Sequence, residues 1–251
     1  MSFSIFIPAR YGSTRLPGKV LLKIKGKTIL QYAYECAIKA NPDQIIIATD
    51  NELVLEEANK LGAKVLMTSP DCPNGTARIA QALINNIDTL NYTDEDIIVN
   101  LQADEVIMPD AYINLVAKNL AQNHQASIAT LAKKIKTPED LLNPNIVKVV
   151  KDKRNFALYF SRAPIPYLRD GHLADNFNHI NYWHHIGMYA YKVKFLKQYH
   201  SLSISDLEQI ENLEQLRALW HGYSIHVGEV EDMLTCEINT QEDLLSAGQL
   251  L

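Results

Sequence analysis

Cysteine is scarce in this 251-residue chain. Cys36, Cys72 and Cys236 are odd in number and far apart, which excludes the Cys-x-x-Cys pairs of zinc and dithiol redox sites and leaves reduced, mostly buried thiols as the expectation. A basic excess is missing too. The 24 Lys and Arg are outnumbered by 29 Asp and Glu, for a formal net charge of −5, which argues against nucleic acid or an anionic membrane as the main partner. Any anion site must therefore be local. No stretch of about 18 consecutive apolar residues occurs, and Met1 runs into a strand-like segment without a basic region and long apolar run. Neither a membrane span nor a signal peptide is expected, and the cytoplasm is the expected compartment. Internal repeats, low-complexity tracts and an obvious linker are also absent. With 47% hydrophobic and 21% charged residues, the chain reads as one globular domain spanning 1–251. Two familiar phosphate loops, Gly-x-x-x-x-Gly-Lys-Ser/Thr and Gly-x-Gly-x-x-Gly, do not occur.

What is present near the N-terminus is a different kind of loop. Residues 3–7, Phe-Ser-Ile-Phe-Ile, are a β-branched and aromatic run that Pro8 ends, the pattern of a buried strand handing over to a loop. In that loop Arg10, Arg15 and Lys19 are interleaved with Gly12, Ser13 and Gly18. Glycines let backbone amides approach a ligand, hydroxyls add donors and fixed cations supply charge, a combination suited to a polyphosphate. The residues by themselves leave a merely solvated loop equally open.

Further along, residues 28–40 space Ile29, Leu30, Ala33, Ala37 and Ile38 as a helix does, and 44–50 form a continuous apolar run typical of a strand buried on both faces. A helix over 52–61, a strand over 63–67, a helix over 77–84 opened by Asn74-Gly75-Thr76, and a buried strand over 96–102 follow. This alternation predicts an α/β fold with a doubly wound, mostly parallel, Rossmann-like sheet. Its site is expected at the carboxyl ends of the strands, where Arg10, Asp50 and Asp104 gather. From about residue 127, short strand-like segments at 127–132, 146–150 and 156–160 suggest a smaller mixed or antiparallel lobe, roughly 127–195, within the same domain. Strands at 186–191 and 225–230, a helix at 206–220 with Leu207, Ile210, Leu213 and Leu216 on one face, and a terminal helix at 240–251 complete the reading.

Residues 8–19, Pro-Ala-Arg-Tyr-Gly-Ser-Thr-Arg-Leu-Pro-Gly-Lys, resemble the signature of the cytidylyltransferases that activate eight-carbon ulosonic acids, in particular the 3-deoxy-manno-octulosonate (Kdo) cytidylyltransferase family. The match continues in order through Ala48-Thr-Asp50, Gly75-Thr76, residues 100–105, Ala157-Leu-Tyr-Phe-Ser-Arg162, residues 185–189 and Leu213-Glu-Gln-Leu-Arg217. The resemblance implies transfer of CMP from CTP to the anomeric hydroxyl of an ulosonic acid, with Mg²⁺ as cofactor and a homodimer formed through the lobe. It implies catalytic roles for Lys19, Arg10 and Asp104, the last on the metal. Nucleotide contacts are implied for Arg10, Ser13, Arg15, Lys19, Gly75 and Thr76, and sugar contacts for Gln102, Arg162, Arg169, His185, Tyr189, Glu214 and Gln215.

Without the resemblance the same residues have plainer readings. Asn74-Gly75-Thr76 is a helix N-cap, Gln102 a polar strand end, His185 and Tyr189 semi-buried strand residues, and Glu214 and Gln215 a solvated helix face. Arg162 and Arg169 flank a Pro-x-Pro loop, and arginine suits a carboxylate through its bidentate fork. The family's last motif, Gly-Val-Asp-Thr-Pro-Glu-Asp-Leu, corresponds to residues 237–244, Glu-Ile-Asn-Thr-Gln-Glu-Asp-Leu. Asn239 therefore stands at the family's second metal position, where an amide offers a carbonyl oxygen but no charge. Glu237 is expected on the same side of a strand and is the candidate substitute ligand. Ala103, Val106 and Ala77 replace a usual Gly, Pro and acid. Three readings follow: a Kdo cytidylyltransferase, a cytidylyltransferase for a related amino-octulosonate or nonulosonate, and a weakened CTP- or sugar-binding paralogue acting as a regulatory subunit.

Overall fold

In the computed structural model, residues 2–12, 16–170 and 177–251 are described. The chain opens with β1 (Ser4–Ala9), forms a small hairpin from β2 (Lys23–Ile24) and β3 (Lys27–Thr28), and returns through the helix Ile29–Lys39 to β4 (Gln44–Thr49). The helix Glu52–Lys60 leads to β5 (Lys64–Met67), and the helix Gly75–Asn85 to β6 (Ile97–Asn100). After β7 (Glu105–Ile107) and the helix Asp110–Gln122 come β8 (Ile128–Lys134), β9 (Lys148–Lys151), β10 (Ala157–Ser161) and β11 (Trp183–Lys192). Three short helices, Val193–Tyr199, Asp206–Glu211 and Gln215–Trp220, precede β12 (Ile225–Val230) and β13 (Cys236–Glu237), and the helix Gln241–Leu250 ends the chain.

The main sheet runs β10-β9-β11-β6-β1-β4-β5, with β8 also on β11 and β12 on β8. β1 pairs in parallel with both β4 and β6, β4 with β5, and β12 with β8, while β11 is antiparallel to β6, β8 and β9. This is the expected α/β architecture. Side chains of β1 alternate between two cores. Ile5, Ile7 and Ala9 join the layer containing Leu30, Val54 and Val116, whereas Phe6 joins the layer containing Ile79, Leu83, Leu196 and Leu216. Helices thus cover both faces of the sheet, as the continuous apolar runs require. Among the described residues no helix is long and apolar enough to cross a membrane.

The site is positioned by a reversal in strand order. From β1 the chain steps through β4 to β5 on one side and then crosses back to β6 on the other, so β1 and β6 flank a topological switch point. Their pairing ends at Phe6↔Asn100, whereas β1 continues beside β4 to Ala9↔Thr49. Beyond Phe6 the two strands part and leave a crevice. Pro8 consequently does not end the strand as expected. It lies where only β4 still pairs with β1, so the opening towards β6 needs no amide from it.

Two further differences have physical causes. The expected helix over 206–220 is broken at Asn212, whose φ is 52°, and Ile210 is 80% exposed instead of joining the apolar face. Tertiary bonds hold the break: the Glu211 carboxylate accepts from Ser161 Oγ and Arg162 N, and the Arg162 guanidinium donates to the carbonyls of Glu211 and Asn212. The helix Asp110–Gln122 has no counterpart among the expected elements, although its buried Tyr112, Ile113, Val116, Ala117 and Leu120 recur at helical spacing.

Candidate active site

At the crevice, the loop after β1 is anchored at both ends. Tyr11 N donates to Asp50 Oδ1 at 3.2 Å, and Gly18 N donates to the Tyr11 carbonyl at 3.2 Å. Gly18 has a φ of 64°, which favours glycine, and it precedes the 3₁₀ turn Lys19–Leu21 that carries Lys19 inward. Lys19 Nζ lies 2.5 Å from Asp104 Oδ2 and donates to Asn239 Oδ1 at 3.3 Å. Asn239 is brought there by β13, which pairs antiparallel with β7, and by Ile238 N bonding the Asp104 carbonyl at 3.0 Å. Asp243 then pins the turn, accepting from Asn239 N and Thr240 N while Thr240 caps the terminal helix.

Glu105 and Glu237 face each other across the β7–β13 ladder. Burial pushes the Glu105 carboxyl well above the usual carboxylate range, and the neighbouring Glu237 and Asp104 charges add to the rise. Among the described residues no group of three or more His, Cys, Asp or Glu side chains is arranged to hold a metal. Asp104 and Asn239 nevertheless converge on one cation-sized position, which the Lys19 ammonium reaches.

The cleft has a volume of about 340 Å³ and is lined by Arg10, Lys19, Gly75, Arg78, Gln102, Asp104, Glu214 and Asn239, among others. Its far wall is the first turn of the helix Gly75–Asn85, capped by Asn74 Oδ1 on Ala77 N at 2.8 Å. A side chain at Gly75 would meet Pro8 Cγ at 3.2 Å, so β1 and this helix approach closely here. Arg78 is 2% exposed. Its guanidinium bonds Asp50 Oδ2 at 2.8 Å and Thr68 Oγ1 at 2.5 Å, tying the helix to the carboxylate that also holds Tyr11. Arg78 was legible only as the end of Gly75-Thr76-Ala77-Arg78, and its role at the wall depends on its burial.

The expected sugar residues separate into four groups. Gln102 and Glu214 line the cleft. Thr76, Tyr189, Glu214 and Gln215 border an adjoining cavity of about 10 Å³, room for about one water. Burial pushes the Glu214 carboxyl up. His185 lies deeper, bonded through Nε2 to Thr130 Oγ1 at 2.9 Å and packed edge-on against Phe160. It shares a face with Tyr189, four residues on in the same strand, and their ring centroids lie 5.4 Å apart. Arg162 donates from Nη1 to the Pro144 carbonyl and from Nε to the Glu211 carbonyl, and Arg169 is 3.8 Å from Asp170 with its side chain 90% exposed. Neither arginine lines the cleft. Ser13 and Arg15 lie outside the described residues.

The state of His185 has a measurable consequence. Burial, with the neighbouring His184 adding, lowers its pKa to about 3, and burial lowers that of His184 to about 4. Between those values and about 6.5, the unfolded chain binds protons that the folded chain refuses, so stability is full above about pH 6.5 and falls as the pH drops. Thermal unfolding of the wild type is expected to move to lower temperature from pH 7 to pH 5, and His185→Gln, which keeps a polar group for Thr130, is expected to flatten that slope. An unchanged slope in the variant would remove His185 from the effect.

Comparison with known proteins agrees with this geometry. Residues 4–227 match the model of the cytidylyltransferase family. A 3-deoxy-manno-octulosonate cytidylyltransferase of Idiomarina loihiensis is 45% identical over 253 residues, covering 100% of this chain and 98% of that protein. The chain belongs to the 3-deoxy-manno-octulosonate cytidylyltransferase family. A second relative, 3-deoxy-manno-octulosonate cytidylyltransferase 2 of Actinobacillus pleuropneumoniae, is 46% identical over 97% of this chain and 96% of its own length. Among solved structures, that of CMP:2-keto-3-deoxy-manno-octonic acid synthetase complexed with CTP superposes with a TM-score of 0.88 at 36% identity, covering 100% of this chain and 98% of the other. As in other cytidylyltransferases, the reaction expected of this family member depends on a nucleotide.

Proposed function

We propose that this chain transfers CMP from CTP to the anomeric hydroxyl of 3-deoxy-manno-octulosonate, releasing pyrophosphate and supplying the activated sugar for lipopolysaccharide synthesis in the cytoplasm. The observation that carries the reading is the meeting of Lys19, Asp104 and Asn239 beside the first turn of the helix Gly75–Asn85, at the switch point of a sheet whose chain matches this family end to end. The anomeric oxygen forms a bond to the α-phosphorus as the bond to pyrophosphate breaks. Arg10 and Lys19 hold the phosphates and offset charge on the departing pyrophosphate. Ser13 and Arg15 belong to the same phosphate loop. Gly75 and Thr76 support the cytidine at the helix N-terminus, where free backbone amides are available. Gln102 and Glu214 orient the acid, with Tyr189 and Gln215 behind them, and the neighbouring cavity must open for the sugar to enter. Arg162, Arg169 and His185 would reach it only with such a rearrangement.

Asp104 and Asn239 would hold Mg²⁺ as the cofactor, since a carboxylate and an amide carbonyl are hard oxygen donors of the kind the ion takes. When bound, Mg²⁺ neutralises phosphate charge and polarises the phosphoryl group. For the assembly, the reading includes a homodimer through the lobe, where Leu142, Leu158 and Tyr167 are 60%, 63% and 85% exposed. A pyrophosphate-release assay with CTP, Mg²⁺ and a panel of ulosonic acids tests the function. Turnover with another acid but not with 3-deoxy-manno-octulosonate would move the assignment to that acid.

Asn239 favours a second reading, a weakened paralogue, and a metal titration separates the two. An added carboxylate brings a full charge to the ion, and unit charges 4 Å apart attract by about 4 kcal/mol at an effective dielectric of about 20. Even a third of that lowers the half-maximal Mg²⁺ concentration about tenfold. Asn239→Asp is expected to lower the requirement by about that factor and to raise turnover. If Glu237 supplies the missing oxygen, Glu237→Gln instead abolishes the metal response. Coincident curves for wild type and both variants would place neither residue near the ion.

A further inference from the structure

Behind Glu214 lies a chain of hydroxyl groups whose far member, Tyr191, has no part in the reaction scheme above. Thr76 Oγ1 donates to Glu214 Oε1 at 3.1 Å and lies 2.9 Å from the Tyr191 hydroxyl. A threonine hydroxyl has one proton. With Glu214 ionised, that proton goes to its carboxylate, and Tyr191 is then the donor in the contact with Thr76. The direction of the chain is therefore set: Tyr191 O–H to Thr76 O–H to Glu214. Tyr191 is 3% exposed and Thr76 2%, so water does not compete for either bond. Burial pushes ionisation of the Tyr191 hydroxyl well up, so it remains a donor at every working pH.

The frame around the chain is rigid. The Tyr191 ring is stacked between Tyr189 and Phe195, with centroids 5.8 Å away on each side. A second tyrosine braces the same helix turn, since Asn74 Nδ2 donates to Tyr199 OH at 3.1 Å while Asn74 Oδ1 caps the helix. Glu214 begins the helix Gln215–Trp220 just past the break at Asn212, so its own backbone does not hold the carboxyl in place. Thr76 is the partner that does, and it sits next to Gly75 in the wall of the nucleotide cleft.

Resting on the reading of Glu214 as an acceptor contact, we propose that Tyr191 is a positioning residue for the acceptor: its hydroxyl, acting through Thr76, aims the Glu214 carboxyl into the cleft. The same chain joins the turn that receives the nucleotide to the group that receives the sugar acid. The helix and its Asn74 cap hold the nucleotide turn without Tyr191, so a loss at Tyr191 is felt in the acceptor parameters and little in those of CTP.

The test compares wild type, Tyr191→Phe and Thr76→Ser, with steady-state kinetics in both substrates, calorimetric binding of 3-deoxy-manno-octulosonate and thermal unfolding. Tyr191→Phe keeps the stacked ring and removes one oxygen. It is expected to raise the acceptor KM and Kd about three- to tenfold, the range for one lost internal hydrogen bond, with the CTP KM within about twofold and the melting temperature little changed. Thr76→Ser keeps the hydroxyl but trims a side chain at the nucleotide wall, so any effect is expected in the CTP KM, with the acceptor Kd closer to wild type than in Tyr191→Phe. An unchanged acceptor KM and Kd in Tyr191→Phe, or an equal rise for both substrates with a lower melting temperature, overturns the proposal. Wild type that binds the acid without turnover overturns only the transfer reading, since the Kd comparison still decides the role of Tyr191. Wild type that neither binds nor converts the acid overturns both.

Discussion

Lys19→Ala is expected to cut turnover about 10²- to 10³-fold at saturating CTP, the range seen when one preorganised donor to developing charge is removed. The ammonium reaches both Asp104 and Asn239, and it sits on a 3₁₀ turn at the mouth of the crevice. On the proposed reaction, its loss would take one of the fixed counter-charges from the pyrophosphate oxygens as the phosphorus–oxygen bond breaks. The fold is expected to survive. The Lys19 and Asp104 side chains are 13% and 18% exposed, and they face an open cleft of about 340 Å³ where water can take the place of the ammonium. Lys19→Arg keeps the charge with a different fork and is expected to recover only part of the rate. Steady-state kinetics with thermal unfolding on the same preparations decide the matter. Near-wild-type turnover in Lys19→Ala would remove the residue from the chemistry, and a collapsed melting transition would make its role structural.

Arg78→Ala is expected to cost about 3–5 kcal/mol of stability, because truncating one partner of a buried ion pair leaves the other charge without compensation. Arg78 is 2% exposed, and the Asp50 side chain that it meets at 2.8 Å is 10% exposed. The same change releases the Thr68 hydroxyl and loosens the carboxylate that accepts from Tyr11 N, so the phosphate loop loses an anchor along with the helix. Denaturant unfolding measures the first effect and the CTP KM the second. Arg78→Ala combined with Asp50→Ala is expected to be less destabilising than the sum of the single changes, since it removes both charges together. Strict additivity would mean that the pair does not act as a unit.

Much of this architecture was legible in residue order. Apolar runs at 44–50 and 96–102, helical spacing at 28–40, and the cap at Asn74 before the helix expected over 77–84 specify elements through contacts that are local in sequence. Their alternation was enough to set the α/β class and to send Arg10, Asp50 and Asp104 to one end of the sheet. Asn239 stood out only through the resemblance of residues 237–244 to the family's last motif.

Other features depended on partners remote in the chain. Pro8 stays within β1 because β6 departs after Asn100, and the helix over 206–220 breaks because Ser161 and Arg162 capture Glu211. Arg162 fits a carboxylate as a residue type, yet its guanidinium is occupied by backbone carbonyls at that break. Tyr191 carries no signal in a strand of alternating apolar residues until Thr76, 115 positions earlier, is found against it. The sequence by itself determined the elements, their order and the chemistry of the loop, since propensity, capping and periodicity act over a few residues. Only the tertiary structure decided which side chains meet. Lys19 and Asn239, 220 positions apart, converge through the strand-order reversal at β1 and the short β7–β13 ladder, and a distance of that kind is a property of topology that no local pattern encodes.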